Sequence, residues 1–270
     1  MAIGNSRESL AKNQDWLCTN RGRLDGVFQI LRYNTHYYAG SLVALLVVAA
    51  LLWLHWLPHL IQATLFGVAG VAVFWSVSSL IVSYYVYDWG AVTQWNWLPK
   101  MLRHRPRRWL NIHAGLDQST EILTRLFPET DHVVLDIYDS QEMTEPSIAR
   151  ARRAPPSQYS AVPCRLDALP VPDRDRDTVF LLFAAHEIRN PTRRVALFRQ
   201  AARVLTTSGQ VLLVEHLRDW KNFVAFGPGC LHFYSRREWL RIIRESGFRV
   251  EQEGCVTPFV RRFLMSRPTG

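Results

Sequence analysis

The sequence predicts an α/β domain with a doubly wound, seven-stranded sheet, preceded by a hairpin of two membrane-spanning helices. Three observations predict this organisation. The 270-residue chain is 20% charged, yet no Asp, Glu, Lys or Arg occurs between Arg32 and Asp88. Beyond Asp88, short apolar runs alternate with amphipathic segments, which is the order of strand–helix units around a parallel sheet. Two period-two segments then end the chain, and they are typical of an antiparallel sheet edge.

Two uncharged segments form the first predicted elements. Residues 37–57 and 60–86 each reach the roughly 20 residues that a helix needs to cross a hydrocarbon core. The connector HWLPHL contains Pro58, which suits a tight turn between two helices. A long polar segment precedes the first apolar run and disfavours a cleaved signal peptide. We therefore predict a transmembrane helical hairpin over residues 36–88, preceded by a cytoplasmic segment over residues 1–35.

Basic residues flank the hairpin on both sides. By the positive-inside rule, this pattern predicts that both chain termini and the α/β domain lie on the cytoplasmic side of the inner membrane. Residues 89–108 combine three tryptophans with the second basic cluster, and they predict an amphipathic, basic linker at the lipid headgroups. The basic residues before the hairpin are Arg7, Lys12, Arg21, Arg23 and Arg32, and those after it are Lys100, Arg103, Arg105, Arg107 and Arg108.

Small residues recur at helical spacing in the second predicted helix. Such a face lets another helix approach closely, because no large side chain separates the two backbones. The first helix of the hairpin could pack there, or a second copy of the chain could do so and form a homo-oligomer. The sequence leaves both arrangements open. The small residues are Ala72, Ser76, Ser79 and Ser83.

The α/β domain is predicted over residues 109–270. Its helices are recognised by apolar residues at helical spacing, by a proline in the first turn, or by a serine cap with a terminal glycine. Its strands are short apolar runs bounded by polar turns. The predicted strands cover residues 107–113, 132–139, 159–170, 177–188, 209–219, 248–256 and 258–266, and the predicted helices cover 118–127, 191–205 and 235–247, with an arginine-rich helix before an APPS break.

Composition disfavours two kinds of function. The net charge of +9 comes almost wholly from arginine, but the arginines flank the apolar segments or are dispersed, so no basic and aromatic surface for nucleic acid is predicted. The four cysteines show neither a CxxC pair nor the spacing of metal ligands, so we predict free thiols and no metal site. They are Cys18, Cys164, Cys230 and Cys255.

One long segment carries a family resemblance. Residues 166–216 read LDALPVPDRDRDTVFLLFAAHEIRNPTRRVALFRQAARVLTTSGQVLLVEH, and Gly247–Phe248 precedes the two closing strands. On these residues the chain from Trp109 to its end resembles the class I S-adenosylmethionine-dependent methyltransferases, especially the ubiquinone and menaquinone type. The resemblance implies a Rossmann-like methyltransferase sheet with S-adenosyl-L-methionine as the cofactor.

The resemblance also implies a set of cofactor-binding residues. Asp136, at the end of the second strand, matches the family acid that accepts hydrogen bonds from both ribose hydroxyls. In the first loop Asn111 stands where the family has an acid, and His113 and Asp117 replace two of its three glycines, so that Gly115 alone is kept. The implied cofactor-binding residues are Asn111, His113, Gly115, Asp136, Ile137, Asp167, Ala168 and Phe183.

Candidate catalytic residues follow the fourth and fifth strands. In the family's geometry His186 and Glu187 face the sulfonium, and His216 is the next candidate. A histidine suits the removal of a phenolic proton near neutral pH. O- or C-methylation is expected rather than N-methylation, because no Asn-Pro-Pro-Tyr type motif follows the fourth strand. The following loop is rich in aromatic residues and is predicted to line an apolar pocket. The substrate-binding candidates there are Trp220, Phe223, Phe226, His232 and Phe233.

Two functions are compatible with these residues. The first is a membrane-anchored methyltransferase that takes a lipophilic small molecule, such as a phenol, a quinone precursor or a lipid, directly from the bilayer. The second is a catalytically inactive methyltransferase-like fold that serves as a membrane scaffold or a lipid-presenting subunit. The two missing glycines in the first loop favour the second function, because glycine lets the backbone approach the cofactor closely.

Overall fold

Two long apolar helices dominate the N-terminal part of the fold. The computed structural model describes residues 22–53, 56–153 and 158–268, and the predictions made for Arg7, Lys12, Cys18, Arg21 and the APPS break lie outside them. Both helices are long and apolar enough to span a membrane. A hydrogen bond of 2.9 Å joins their Tyr38 and Ser79 hydroxyls, so the first helix contacts the second at one of the predicted small residues. The helices are α1 (Asp25–Tyr33), α2 (Thr35–Trp53) and α3 (His59–Tyr84).

A short irregular segment connects the hairpin to the α/β domain. The second long helix continues into a π-helical turn, Tyr85–Trp89, whose Asp88 carboxylate accepts hydrogen bonds from the backbone N–H groups of Gly26 (2.6 Å) and Val27 (2.9 Å). This anion satisfies the free N–H groups at the start of α1. A Cβ on Gly26 would lie 2.6 Å from Tyr87 Cβ, so only glycine allows this approach. Two short helices follow, α4 (Ala91–Gln94) and α5 (Leu98–Met101).

The linker helices pack on the sheet. Val92, Trp95 and Leu98 are buried in one apolar cluster with Trp109 and Phe180 of the sheet, whereas Trp89 is exposed. Burial of several large side chains stabilises this junction, at about 1.5–3 kcal/mol for each large aliphatic residue. The hairpin and the α/β domain therefore form one packed unit.

The sheet has seven strands in the order β3-β2-β1-β4-β5-β7-β6. The first five strands are parallel, and β7 lies antiparallel between β5 and β6. This order confirms the predicted fold class, a doubly wound Rossmann-like sheet. The strands are β1 (Arg108–His113), β2 (Asp131–Asp136), β3 (Val162–Pro163), β4 (Arg176–Leu182), β5 (Leu205–His216), β6 (Arg249–Thr257) and β7 (Val260–Ser266).

Helices cover both faces of the sheet, because the central strands β4 and β5 are buried on both sides. One face carries α8 and α10, and the other carries α6 with the linker helices. Helix α8 begins with an Asn190 cap that accepts hydrogen bonds from the N–H groups of Thr192 and Arg193. The helices are α6 (Thr120–Leu126), α7 (Pro146–Ala151), α8 (Pro191–Val204), α9 (Trp220–Phe226) and α10 (Arg236–Glu245).

The third strand is shorter than predicted. Residues 159–170 were expected to be extended, but only Val162 and Pro163 pair with β2. Pro163 has no N–H group to donate to a further strand, and β3 is the edge of the sheet. The remainder of this segment forms turns that lead to Asp167.

Candidate functional site

A cavity of about 770 Å³ lies between the sheet and the apolar hairpin. One wall consists of residues at or beyond the carboxyl ends of β1, β4 and β5, which is where doubly wound sheets hold their ligands. The opposite wall consists of residues from α1, α2 and α3. From the sheet side it is lined by Ala114, Leu182, Phe183, His186, Glu187 and His216, and from the hairpin side by residues that include Tyr37, Tyr38, Ser41, Trp75, Ser76 and Ser79. The sequence predicted an apolar pocket lined by the loop after β5, but not that the hairpin closes it.

His186 lies in this cavity between two carboxylates. The fully buried Glu215 accepts hydrogen bonds from the N–H groups of Ala185 (2.9 Å) and His186 (3.2 Å) at Oε1, and Oε2 lies 2.6 Å from His186 Nδ1. Glu187 Oε1 lies 3.2 Å from His186 Nε2. Burial alone would lower the pKa of His186, but the charges of Glu215 and Glu187 outweigh it and raise this pKa to about 10. At neutral pH His186 is therefore protonated, and it donates from Nδ1 to Glu215 and from Nε2 to Glu187.

His216 is the second predicted catalytic histidine, and it is held neutral. Its Nδ1 lies 2.9 Å from the Phe259 carbonyl oxygen, to which it donates, so Nε2 accepts from the Tyr87 hydroxyl at 2.7 Å. Burial lowers the pKa of His216 to about 4. The ring stacks on Phe233 with 4.9 Å between centroids. Tyr87 lines the cavity, and the sequence did not indicate it, because it lies 129 residues from its partner.

The aromatic loop after β5 divides into two parts. Phe226, His232 and Phe233 line the cavity, as the sequence predicted for the whole set. Trp220 and Phe223 lie on the outer side of α9 and are 72% and 45% exposed. Phe223 makes an edge-to-face contact with Trp75 of α3, with 5.5 Å between ring centroids. Helix α9 thus lies against the apolar hairpin.

His232 completes a cluster with His186 and Glu187. Its Nε2 lies 3.7 Å from Glu187 Oε1, and its Nδ1 lies 3.4 Å from Glu145 Oε1. Arg189 donates to the His232 carbonyl oxygen at 2.7 Å and also contacts both ring nitrogens. Glu145, Arg189 and Glu215 were not among the predicted site residues. Glu215 could have been found from the sequence, because it is a charged residue near the end of a predicted buried strand.

The first loop has the conformation but not the composition of a nucleotide-binding turn. Gly115 has φ of +87°, a conformation that favours glycine. Asn111 Nδ2 donates to the hydroxyls of Ser119 (2.9 Å) and Thr120 (2.8 Å), and Asp117 Oδ1 accepts from their backbone N–H groups. Both residues therefore fix the start of α6. The sequence-predicted loop residues Asn111 and Gly115 do not line the large cavity.

His113 occupies the position of a family glycine. Its side chain is buried, and neither ring nitrogen has a hydrogen-bond partner among the described residues. Nδ1 lies 3.8 Å from Asp136 Oδ1. Burial lowers the pKa of His113, so the ring is neutral at physiological pH. Asn111 Oδ1 and Asp117 Oδ2 are likewise buried without a partner in the described part of the chain.

Arg152 covers the carboxylate of Asp136. Its Nη1 donates to Asp136 Oδ2 at 2.8 Å, and its guanidinium carbon lies 4.1 Å from the centroid of the Tyr138 ring. A Cβ on Gly115 would lie 2.9 Å from the same Nη1. The guanidinium therefore fills the space between the first loop and the end of β2. This is the ribose position that the resemblance implies.

The other predicted cofactor residues are spread around this position. Asp167 forms two hydrogen bonds with Arg165, at 3.0 and 2.9 Å, and lies next to Ala168, which bridges back to Arg165. Ile137 is buried in the core. Phe183 has φ of +54° at the end of β4 and faces the cavity. Such a backbone conformation is strained for a non-glycine residue and is typical of functional sites.

The strand order, with β7 antiparallel between β5 and β6, is that of the Rossmann-like sheet that the methyltransferase resemblance implies. No family model and no curated protein matches the sequence. Among solved structures, a SAM dependent methyltransferase from Aquifex aeolicus is 15% identical, with 59% of this chain and 81% of that chain covered and a TM-score of 0.46. A putative type 11 methyltransferase from Sulfolobus solfataricus is 14% identical, with 64% and 91% covered and a TM-score of 0.45.

The pyocyanin biosynthetic protein PhzM is also similar in structure. It is 15% identical, with 77% of this chain and 58% of that chain covered and a TM-score of 0.48. Each of these three similarities has a TM-score below 0.5. Statements about the chemistry of this chain must therefore rest on its own residues.

Proposed function

We propose that the chain is an S-adenosylmethionine-dependent methyltransferase that methylates an oxygen or carbon of a lipophilic small molecule. One observation carries this proposal: the cavity at the carboxyl ends of the strands is closed on its other side by the apolar hairpin. An acceptor dissolved in a bilayer could enter such a space between the helices without crossing water. A phenol, a quinone precursor or a lipid has the required polar ring or headgroup and apolar remainder.

The residues around Asp136 fit the cofactor once Arg152 turns away. Asp136 supplies two acceptor oxygens for the ribose hydroxyls, and Gly115 leaves room for a close backbone approach. Arg152 meets Gly115 and Asp136 with the far end of a flexible side chain that is 38% exposed, so a rotation frees both. Asp167 and Ala168 would lie at the adenine. S-adenosylmethionine supplies a methyl group on a positively charged sulfur.

The protein's task in such a transfer is to align the acceptor and to exclude water. Phe183, Phe226 and Phe233 provide flat apolar walls for a ring. Tyr87 gives its hydroxyl hydrogen to His216 and so presents an oxygen lone pair that can accept a hydrogen bond from an acceptor hydroxyl. The hydroxyls of Tyr38 and Ser79 offer further polar contacts farther along the hairpin.

Membrane association follows from the exposed apolar surface. The two long helices contain no charged residue, and Trp220, Phe223 and Val224 of α9 continue their apolar surface into the α/β domain. An apolar surface of this extent is typical of contact with a membrane or a partner. We propose that α9 lies at the bilayer surface and that both termini are cytoplasmic, as the basic flanks predict.

The test is a labelling experiment with the full chain. Membranes that contain the protein are incubated with methyl-labelled S-adenosylmethionine, and the lipid extract, protein and nucleic acid are counted separately. The expected result is label in the lipid extract, which is absent for Asp136→Asn. Label in protein or nucleic acid alone would refute a lipophilic acceptor. Absence of cofactor binding by calorimetry would refute the methyltransferase itself.

The inactive scaffold is the second candidate function, and a specific observation favours it. Arg152 already donates a hydrogen bond to the Asp136 carboxylate, and His113 takes the place of a family glycine in the first loop. If these side chains permanently fill the cofactor position, the cavity could still bind and present a lipid. Calorimetry on Arg152→Ala separates the two functions, because only the enzyme gains cofactor affinity.

A further inference from the structure

We infer that His186, Glu187 and His232 form a binding site for one divalent transition-metal ion in the wall of the cavity. The three residues come from the end of β4 and from the loop after α9, and one ligand atom of each lies within 4.8 Å of the others. No pattern in the sequence indicated this site, because His232 lies 45 residues beyond Glu187. Two imidazoles and one carboxylate are a common ligand set for zinc and non-haem iron.

The spacing of the ligand atoms fits one ion. Metal–nitrogen and metal–oxygen bonds of about 2.0–2.2 Å at tetrahedral angles place neighbouring ligand atoms about 3.3–3.5 Å apart. His186 Nε2 and Glu187 Oε1 are 3.2 Å apart, and Glu187 Oε1 and His232 Nε2 are 3.7 Å apart. Both distances are within a few tenths of an ångström of this value, and the three ligand atoms all lie within 4.8 Å of one another.

Each histidine has a carboxylate behind it. Glu215 lies 2.6 Å from His186 Nδ1 and would hold the hydrogen on that nitrogen, so Nε2 could bind the ion once its own proton has been displaced. Glu145 lies 3.4 Å from His232 Nδ1. Carboxylates that accept from the second ring nitrogen are a regular feature of metal-bound histidines, because they fix the tautomer and make the ligand nitrogen more basic.

The charges around the cluster are compatible with a divalent ion. Glu145, Glu187 and Glu215 carry three negative charges, and Arg189 together with protonated His186 supplies two positive charges. A divalent ion that replaces the His186 proton would balance the remaining charge, because both imidazoles would then be neutral. Glu187 Oε2 is buried and has no hydrogen-bond partner in the described part of the chain, so a carboxylate oxygen is available.

Arg189 limits the arrangement. Its Nη2 lies 2.9 Å from His232 Nε2, where it would oppose an ion. Its Nη1 donates to the His232 carbonyl oxygen at 2.7 Å, and its Nη2 also lies 3.4 Å from Glu145 Oε1. Binding of the ion therefore requires the Arg189 side chain to move away from His232 Nε2.

The ion would be open to the cavity, because all three ligands line it. Three protein ligands with an open position are typical of catalytic rather than structural sites. The role of the ion rests on the proposed function: it would bind an acceptor hydroxyl oxygen and lower its pKa. The hydroxyl proton then leaves to water, the oxygen–carbon bond forms as the carbon–sulfur bond of the cofactor breaks, and a neutral thioether is left.

Metal titration of the full chain tests the site. The protein is purified in detergent without a histidine tag, stripped with a chelator and titrated with Zn²⁺ by calorimetry, and Co²⁺ provides a spectroscopic check of coordination. We expect one Zn²⁺ per chain. Glu187→Gln and His232→Ala should each weaken binding by at least about tenfold, and Glu215→Gln by about 10- to 100-fold. His59→Gln, at an exposed histidine that begins α3, should bind as the unmodified chain does.

Two outcomes overturn the site: no stoichiometric Zn²⁺ in the unmodified chain, or unchanged affinity in both Glu187→Gln and His232→Ala. Circular dichroism of each variant shows whether it is folded. If Glu187→Gln does not fold, His232→Ala still tests the site, because it changes a partly exposed loop residue. S-adenosylmethionine binding is measured on the same preparations. Cofactor binding without Zn²⁺ refutes the metal site alone, and Zn²⁺ binding without the cofactor refutes the methyltransferase alone.

Discussion

Arg152 donates a hydrogen bond to Asp136 across 2.8 Å, and in doing so it covers the carboxylate on which cofactor binding would depend. The ion pair joins the end of α7 to the end of β2 and lies over Gly115. In a methyltransferase this contact competes with the cofactor, and in a scaffold it takes the cofactor's place. The strength of the contact is therefore a measurable property that separates the two functions.

The first prediction is that Arg152→Ala increases the affinity for S-adenosylmethionine by up to about fivefold. An ion pair of this exposure is worth up to about 1 kcal/mol, and the cofactor no longer has to displace it. Calorimetry on the full chain measures the change. Arg153→Ala, the same substitution at the next residue, is the control and should bind as before. Unchanged or weaker binding by Arg152→Ala would favour the scaffold.

The second prediction concerns the buried carboxylate of Glu215. Glu215→Gln should lower the free energy of unfolding by about 3 kcal/mol, because it removes one charge of a buried pair with His186 and weakens the hydrogen bonds that Glu215 accepts. Denaturation in detergent gives the value. Glu245→Gln, at an exposed residue that ends α10, should change it by less than about 0.5 kcal/mol. Similar effects of the two substitutions would contradict the role of Glu215.

The third prediction is that His216 contributes to loss of stability in mild acid. The pKa of His216 is about 4 in the folded protein and near 6.5 when unfolded, so the unfolded state binds more protons between these values. Stability should fall as the pH falls from 6.5 to 4, by on the order of 3 kcal/mol. His216→Gln should show a flatter pH dependence over this range, whereas His59→Gln should follow the unmodified chain. An identical slope for His216→Gln would show that His216 does not titrate in this way.

The fourth prediction tests the hairpin wall of the cavity. Ser76→Leu should reduce methylation of a lipophilic acceptor at least about fivefold, because a larger side chain in a filled cavity costs about 1–3 kcal/mol. Affinity for S-adenosylmethionine should not change. Val77→Leu enlarges the adjacent, exposed residue and serves as the control. If the two substitutions reduce labelling equally, the acceptor does not bind beside Ser76.

The fifth prediction is that α9 contacts the bilayer. A nitroxide at Trp220→Cys, in a chain whose native cysteines are replaced by serine, should be more accessible to oxygen than to a polar nickel complex when the protein is in lipid nanodiscs. Arg241→Cys on α10 should show the reverse, because its side chain is exposed and polar in the unmodified chain. Preference for the nickel complex at both positions would place α9 in water.

Local patterns predicted the elements well where one face or both faces of an element are buried. The apolar runs of β4 and β5 predicted central strands because parallel strands are covered on both sides. Asn190 and Ser235 accept hydrogen bonds from N–H groups in the first turns of α8 and α10, and the serine cap was among the signals for the second helix. The pattern overestimated β3, where Pro163 limits pairing at the sheet edge.

Contacts between residues far apart in the sequence could not be predicted from local patterns. The cavity depends on the packing of α2 and α3 over the strand ends, and nothing near Tyr87 indicates that it meets His216. The apolar composition of the hairpin predicted only an anchor. The resemblance implied Asp136, but the guanidinium that covers it belongs to a different element, whose packing no local pattern specifies.

Because the two long helices form one side of the cavity, the choice of protein fragment decides whether the cavity exists. A shortened chain that starts at Trp109 would keep nearly all of the seven-stranded sheet. It would lose Tyr87, the hydrogen-bond partner of His216, together with the hairpin side of the cavity. The strand ends that line the cavity would be open to water, and inactivity of such a fragment would not test the proposed function. If the hairpin is both the proposed anchor and one wall of the cavity, the full chain in detergent or lipid is the form in which ligand binding has to be measured.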